Sequence, residues 1–256
     1  MQLPEKLQAL AREHNLEVVE QPAGFSWYLH EQSGTLSLVC IGNKTPKRPL
    51  HLLIDLWKKW QYHQSMRYVL SREPFAKALG LHRASGKEMK ILDATCGVAD
   101  DSILMLAMGA SVVAFERSFI LHILIEDAIG RASEVDPQLK DIFKSRFTLF
   151  GGDCRIYNKK SDVIYLDPMY PEKKKNSLPK KEMQILRELL GPVDHYDAEN
   201  LFEWALQHAT SRVVVKRSLA APTLGKRPPD IVFAGKSTRY DVYLTPTHFE
   251  PSGEKL

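Results

Sequence analysis

An apolar run at residues 163–166 stops abruptly at an acid, a proline and an aromatic residue, in the order Asp167-Pro168-Met169-Tyr170. Such a run is typical of a buried parallel strand, and open α/β sheets bind ligands at the carboxyl ends of these strands. The Asp167 carboxylate and the Pro168 carbonyl can accept hydrogen bonds from an amino group, while the Tyr170 ring stacks on a base. We therefore predict Asp167, Pro168 and Tyr170 as catalytic residues.

Two earlier acids occupy comparable positions. Asp93 lies at the end of the strand-like run 90–94, before small residues around Gly97 that allow a tight turn beside a ligand. Glu116 follows the run 111–115, about 23 residues after Asp93, which is close to the spacing at which a carboxylate reaches the ribose hydroxyls of a nucleoside. We predict that Asp93, Gly97 and Glu116 bind a nucleoside cofactor.

A further acid, Asp153, follows the third run, 147–150, and is a candidate partner for an adenine amino group. The chain has neither a Gly-x-x-x-x-Gly-Lys loop nor a Gly-x-Gly-x-x-Gly loop after its strands, which disfavours ATPases and dinucleotide dehydrogenases. S-adenosylmethionine fits these acids better. For each acid taken alone, a helix cap or a solvated surface position is the alternative interpretation.

Basic residues are concentrated just after the Asp-Pro-Met-Tyr block, although the net charge of the chain is only +4. A second basic pair ends the run 212–216. We predict that both groups contact RNA phosphates, with a solvated basic loop as the alternative. The predicted RNA-binding residues are Lys173, Lys174, Lys175, Lys180, Lys181, Lys216 and Arg217.

The composition of the 256 residues, 44% of them hydrophobic, is sufficient for one sizeable core. Cys40, Cys96 and Cys154 are far apart and odd in number, which argues against a disulfide framework or a structural zinc site. No apolar run is long enough to span a bilayer. We expect a cytoplasmic protein that contains no metal and does not associate with membranes, and its oligomeric state stays open.

From residue 90 onward, short apolar runs alternate with helix-like segments, which indicates an α/β fold with a mostly parallel sheet. Predicted strands cover 90–94, 111–115, 147–150, 162–166 and 212–216, and 231–234 and 240–244 are expected to pair antiparallel at one edge. Predicted helices cover 100–108, 119–132, 137–144, 180–190 and 198–209, with Asp197 as the N-cap of the last. A helix, a hairpin and a linker form a small α+β region at 1–49, and the main domain, 50–256, begins with a helical segment at 50–81.

Together these motifs resemble the ribosomal RNA small subunit methyltransferase J family, and the resemblance spans residues 50–246. It rests on the segments 93–95, 116–117, 165–171, 180–183, 190–192 and 213–217. It implies a class I methyltransferase with a Rossmann-like sheet that uses S-adenosylmethionine to methylate N2 of a guanosine near the 3′ end of 16S rRNA, guanosine 1516. The cofactor contacts that it implies are Asp100, Asp101, Glu116, Arg117, Asp153, Cys154 and Asp167.

Two segments differ from the family pattern. After Asp-Ala-Thr the family has Ala-Gly-Leu-Gly-Arg-Asp, whereas this chain has Ala99 in place of the second glycine and Asp100 in place of the arginine. The family's glycine-rich basic segment is replaced here by residues 63–73. Two alternatives therefore stay open: the same chemistry on adenine N6 or a protein glutamine amide, and an inactive ribosome-assembly factor that binds 16S rRNA or the small subunit.

Overall fold

The computed structural model describes residues 5–19, 26–41, 49–83, 89–168, 185–186, 189–190 and 195–245. The chain begins with helix α1 (Glu5–His14) and continues into strands β1 (Trp27–Gln32), β2 (Thr35–Cys40) and β3 (Leu50–Leu52). These strands form an antiparallel sheet in the order β1-β2-β3. The β1–β2 turn places Ser33 and Gly34 at positive φ, which confirms the predicted hairpin.

The predicted helical segment 50–81 is wrong at its start, because Leu50–Leu52 pairs with β2 as strand β3. Leu50 and Leu52 are buried while His51 faces solvent, which is the alternation of a strand rather than of a helix. Asp55 then accepts a hydrogen bond from the Lys58 N–H and caps helix α2 (Leu56–Met66). Helix α3 (Pro74–Leu79) and a 3-10 turn at Leu81–Arg83 complete this part.

A mixed seven-stranded sheet forms the main body. Its strands, in chain order, are β4 (Lys90–Asp93), β5 (Ser111–Glu116), β6 (Phe147–Gly151), β7 (Ser161–Leu166), β8 (Ala209–Ser218), β9 (Ile231–Ala234) and β10 (Thr238–Leu244). Across the sheet the order is β6-β5-β4-β7-β8-β10-β9. Strands β4 to β8 run parallel, while β10 is antiparallel to both β8 and β9. The predicted α/β architecture with an antiparallel edge is confirmed.

Helices connect the parallel strands. They are α4 (Asp100–Ala107), α5 (Phe119–Val135), α6 (Pro137–Arg146) and α7 (His195–His208). Ser118 caps α5, and Asp136 both ends α5 and caps α6, whose first residue is Pro137. Helix α7 begins three residues earlier than predicted, so Asp197 lies in its first turn and is not its N-cap. Most of the predicted helix at 180–190 lies outside the described residues.

Side chains of β7 explain why its sequence is continuously apolar. Val163 and Tyr165 belong to the core on the α4–α5 face of the sheet, and Ile164 and Leu166 belong to the core on the α7 face. Because both faces are covered, every position of the strand is buried from Val163 onward. The strand can therefore hold the residues that follow Leu166 in a fixed place.

Asp127 of α5 ties the N-terminal elements to the main body. Its buried carboxylate pairs with Lys6 of α1 and with Arg131, whose Nε lies 2.7 Å from Oδ2. The Leu36 N–H of β2 donates to the same carboxylate at 3.4 Å. Leu36 itself packs in the core of the α4–α5 face. The predicted division of the chain between residues 49 and 50 stays a prediction.

Among the described residues, no helix is long and apolar enough to cross a membrane.

Candidate active site

The predicted acids converge at the carboxyl edge of the parallel strands. Asp93 is the last residue of β4, Glu116 is the last of β5, and Asp167 directly follows β7. The register places Asp93 opposite Ala114 of β5 on one side and Tyr165 of β7 on the other. The sheet thereby brings together residues from separate parts of the chain at the edge where open α/β sheets bind ligands.

Asp93 lies beneath this edge and not on its surface, since only 1% of the residue is exposed. Its Oδ2 accepts from the Ser102 hydroxyl at 2.5 Å, and its Oδ1 accepts from the Thr95 N–H at 3.1 Å. Burial raises the pKa of Asp93 to about 7, although both hydrogen bonds act in the opposite direction. Asp93 holds the loop between β4 and α4 from below, and its role in cofactor binding stays a prediction.

The loop between β4 and α4 carries two residues at positive φ. Gly97 has φ 59°, and Ala99, which stands where the family has glycine, has φ 62°. Lys59 of α2 holds the loop: its ammonium donates to the Val98 carbonyl at 2.7 Å and pairs with Asp100 at 2.6 Å. Ala99 therefore adopts a conformation that favours glycine, and Lys59 from another helix stabilises the loop.

Glu116 connects this loop to the end of β5. Its Oε2 accepts from the Gly97 N–H at 2.7 Å, and its Oε1 accepts from the Ser118 N–H at 2.6 Å. Burial raises the pKa of this carboxyl, while the two N–H donors oppose the shift. Each carboxylate oxygen has two lone pairs, so Glu116 retains acceptor capacity for ribose hydroxyls.

A network of four charged residues lies beside β5 and β6. Asp197 of α7 pairs with Arg117 at 2.5 Å and with Arg155 at 2.8 Å, and Arg155 also pairs with Asp153 at 2.5 Å. The hydrogen bonds from Arg155 lower the pKa of Asp153. Sequence reasoning missed the role of Arg155 and gave Asp197 only a capping role, because their pairing depends on where α7 packs.

Cys154 follows Asp153 and is buried, and this burial raises the pKa of its thiol to about 12. The Cys154 side chain is therefore a neutral thiol at pH 7, and its cofactor contact stays a prediction. The Asp153 carboxylate caps the short 3-10 turn Cys154–Ile156 through the Arg155 N–H at 2.9 Å.

A second cluster joins the ends of β7 and β8 to α4. Lys216 Nζ lies 2.9 Å from Asp167 Oδ2 and 2.7 Å from Asp101 Oδ2, and the Tyr165 hydroxyl donates to the same Asp101 oxygen at 2.6 Å. The Asp167 N–H donates to Thr95 Oγ1 at 2.7 Å, which ties the segment after β7 to the loop after β4. Pro168 follows directly, at the edge of the described segment.

Burial raises the pKa of Asp167, Lys216 opposes that shift and Asp101 adds to it. For Lys216 burial lowers the pKa, but the two carboxylates outweigh burial and the net shift is upward. The lysine is therefore an ammonium held between two carboxylates. Lys216 therefore balances two acids, Asp101 and Asp167, at this edge.

The two basic residues at the end of β8, Lys216 and Arg217, are predicted phosphate contacts. Arg217 is only 3% exposed, and its guanidinium donates twice to the Pro222 carbonyl, at 2.7 and 3.0 Å. The Lys216 ammonium is engaged by carboxylates. In this conformation both side chains have partners within the protein, and their contact with phosphates stays a prediction.

The remaining predicted site residues, Tyr170, Lys173, Lys174, Lys175, Lys180 and Lys181, lie outside the described residues.

The geometry fits S-adenosylmethionine. The loop at Gly97 and the Glu116 carboxylate are in direct contact, so a nucleoside can meet backbone and acid at one place, with Asp167 on the neighbouring strand. A mostly parallel seven-stranded sheet with this edge defines a class I S-adenosylmethionine-dependent methyltransferase. A crystal structure of an S-adenosylmethionine-dependent methyltransferase from Neisseria gonorrhoeae matches 99% of this chain and 96% of its own, with a TM-score of 0.71 and 29% identity.

Sequence comparisons identify the family. The family model described as "Putative SAM-dependent methyltransferase" matches residues 9–245. A protein of Coxiella burnetii named ribosomal RNA small subunit methyltransferase J is 37% identical over 92% of this chain and 90% of its own length. One of the same name from Thioalkalivibrio sulfidiphilus is 35% identical over 95% and 94%. The chain belongs to the ribosomal RNA small subunit methyltransferase J family, and its cofactor is S-adenosylmethionine.

Proposed function

We propose that this protein methylates the exocyclic N2 of a guanosine near the 3′ end of 16S rRNA, at guanosine 1516 by resemblance. The observation that carries the proposal is the Asp167 carboxylate, held by Lys216 at the end of β7 on the same edge as the cofactor loop. The names of the relatives support small-subunit rRNA as the acceptor.

The chemistry requires an acceptor for amino hydrogens. An exocyclic amino group is a poor nucleophile because its lone pair is delocalised into the base. Hydrogen bonds from its two hydrogens to the Asp167 carboxylate and the Pro168 carbonyl orient the lone pair and favour the positive charge that develops on nitrogen. The cofactor supplies an electrophilic methyl group on sulfur, and in-line approach accounts for much of the remaining rate.

Atoms and charges balance without a metal. The N–CH₃ bond forms as the S–CH₃ bond breaks, the sulfonium becomes a neutral thioether, and the nitrogen then loses one proton. Asp167 is placed to receive that proton or to pass it to water. Tyr170 is proposed to stack on the base, and Lys173, Lys174, Lys175, Lys180 and Lys181 to contact phosphates.

The cofactor residues are proposed to divide into those that touch S-adenosylmethionine and those that shape its site. Gly97, Glu116 and Asp153 are proposed to touch the nucleoside. Asp93 acts through the loop, and Asp100 and Arg117 act through their ion pairs with Lys59 and Asp197. This division is supported by burial and by the hydrogen-bond partners described above.

The decisive experiment is transfer of labelled methyl from S-adenosylmethionine to small ribosomal subunits that lack the modification, followed by nucleoside digestion and identification of the product. The expected product is N2-methylguanosine, and it disappears with Asp167→Ala. Asp162→Asn is the matched control, because Asp162 lies on the same strand at the opposite end. It should retain wild-type transfer.

Other products would replace this proposal. Methylated adenine N6 in RNA, or methylated glutamine in a ribosomal protein, would keep the chemistry and change the acceptor. Absence of both transfer and cofactor binding would instead favour an assembly factor that binds RNA. Running free 16S rRNA beside assembled subunits in the same assay identifies which of the two is the substrate.

A further inference from the structure

Lys216 lies beside the proposed catalytic acid, and the reaction outlined above gives it no role. Its Nζ contacts Asp167 Oδ2 at 2.9 Å and Asp101 Oδ2 at 2.7 Å, and its side chain is only 24% exposed. An ammonium has three donors, and two of them are directed at carboxylates. It therefore contacts the proposed catalytic acid directly.

The charged and titratable groups around this lysine come from several elements. Asp101 lies on α4, Tyr165 on β7, Asp93 on β4, Arg217 on β8 and Tyr240 on β10. On α2, His63 and Lys59 face Asp100 and Asp101. Lys216 is the cation in direct contact with Asp167 among the described residues.

We propose that Lys216 is a positioning residue for methyl transfer: it keeps Asp167 ionised and holds its Oδ2, so that Oδ1 is directed at the acceptor amino group. The proposal rests on the proposed function for the nature of the acceptor. Its physical core does not depend on RNA, because it concerns the charge and orientation of one carboxylate. A protonated Asp167 would offer one acceptor oxygen fewer and could not receive the proton from nitrogen.

Lys216 and Asp101 carry opposite charges, so they should shift the pKa of Asp167 in opposite directions. An opposite charge within about 4–6 Å lowers a carboxyl pKa by about 1–3 units, and a like charge raises it. Removing the Lys216 charge should therefore raise the pKa of Asp167, whereas removing the Asp101 charge should lower it. If Lys216 only packed against the cluster, removing its charge would leave the pKa of Asp167 unchanged.

The test is a carboxyl ¹³C NMR titration of the full-length protein without RNA. The Asp167 resonance is assigned by its absence in Asp167→Asn. Lys216→Met is expected to raise its midpoint by about 1–3 pH units, and Asp101→Asn is expected to lower it. Lys59→Met is the matched control, since Lys59 is also paired with an acid of α4 but does not contact Asp167. The Asp167 midpoint in Lys59→Met should equal that of the wild type.

Methyl-transfer rates across pH, at saturating cofactor, give the second readout. The acidic limb of the Lys216→Met profile should move to higher pH, with partial recovery of rate at alkaline pH, and Lys216→Arg should restore much of the wild-type profile. An unchanged Asp167 midpoint in Lys216→Met would overturn the proposal, and so would a loss of RNA affinity without any shift.

Two further results keep the proposal testable. If Lys216→Met does not fold, Lys216→Gln takes its place in the titration, and an unchanged Asp167 midpoint in that variant contradicts the proposal. If the proposed acceptor is wrong, the titration still reports on Lys216, because no acceptor is present in it.

Discussion

The two halves of the strand edge hold their acids by different means. In the cofactor half, Asp93 and Glu116 accept hydrogen bonds from uncharged groups: the Ser102 hydroxyl and the Thr95, Gly97 and Ser118 N–H groups. In the acceptor half, Asp167 is held by the charged Lys216, which it shares with Asp101. Uncharged donors fix geometry but leave the desolvation of a carboxylate largely uncompensated, whereas a cation fixes both position and ionisation.

The difference matches what each half has to do. A site for ribose hydroxyls needs acceptors in fixed places, and backbone N–H groups of adjoining loops hold these carboxylates in position. A site that receives a proton from an amino group needs an acid that is reliably ionised. The predictions below test this contrast, from the largest expected effect to the smallest.

Asp167→Asn should lower the methyl-transfer rate at saturating cofactor by about 10²–10⁴-fold, the range for loss of a positioned acid–base group. The amide keeps the size of the side chain but cannot receive a proton. Single-turnover transfer from labelled S-adenosylmethionine measures the rate, with circular dichroism to confirm the fold. A variant that keeps more than a tenth of the wild-type rate would remove Asp167 from the reaction.

Asp93→Asn should flatten the pH dependence of stability. The pKa of Asp93 rises from 3.8 when unfolded to about 7 when folded, so the folded state binds more protons between these values. The stability linked to this group is therefore fully present below pH 4 and is lost as pH rises to 7, by about 4 kcal/mol relative to the variant. Urea unfolding from pH 4 to 8 measures this difference. Parallel curves for the two proteins would contradict it.

Glu116→Gln should weaken cofactor binding more than it slows transfer. The amide has one acceptor oxygen instead of two, so either the Gly97 loop or a ribose hydroxyl loses its partner; a hydrogen bond lost to the cofactor costs about 1–3 kcal/mol, or roughly 5–150-fold in Kd. Calorimetric titration with S-adenosylmethionine gives the Kd, and the rate at saturation should stay within a few-fold of wild type. A reduced rate with unchanged Kd would reverse the proposed division between the two halves.

Asp197→Asn should have the smallest effect, because the side chains of its partners Arg117 and Arg155 are 67% and 33% exposed. Exposed ion pairs contribute at most about 1 kcal/mol and are screened by salt. Thermal unfolding at low and high ionic strength should show a small loss that shrinks with added salt. A loss above about 2 kcal/mol would show that this network is more than a surface feature.

Sequence reasoning located the strands and three of the acids, because these depend on local properties. Apolar runs of four to six residues mark strands buried on both faces, and the parallel arrangement then places Asp93, Glu116 and Asp167 on one edge. The antiparallel pair β9–β10 followed from the same kind of pattern. The family assignment came from the block around Asp167.

Roles that depend on tertiary packing were not predictable. Lys216 is adjacent in sequence to another basic residue and so indicated a phosphate contact, but its partner Asp101 is 115 residues away on α4. The interaction of Asp197 with Arg155 depends on the placement of α7. The strand at Leu50–Leu52 was missed because three residues are too few to establish a period, and pairing with β2 decides its conformation.

The anchoring of α1 has a consequence for the timing of folding. Lys6 pairs with Asp127, 121 residues later in the chain. At a synthesis rate of about 5–20 residues per second, α1 is exposed for roughly 6–24 s before that residue is made. The buried Asp127 carboxylate lies on α5, and its charge is stabilised by Lys6, Arg131 and the Leu36 N–H. These contacts cannot form until α5 has been synthesised. Helix α1 is therefore synthesised well before the acid that it pairs with, and it should dock only after α5 has formed.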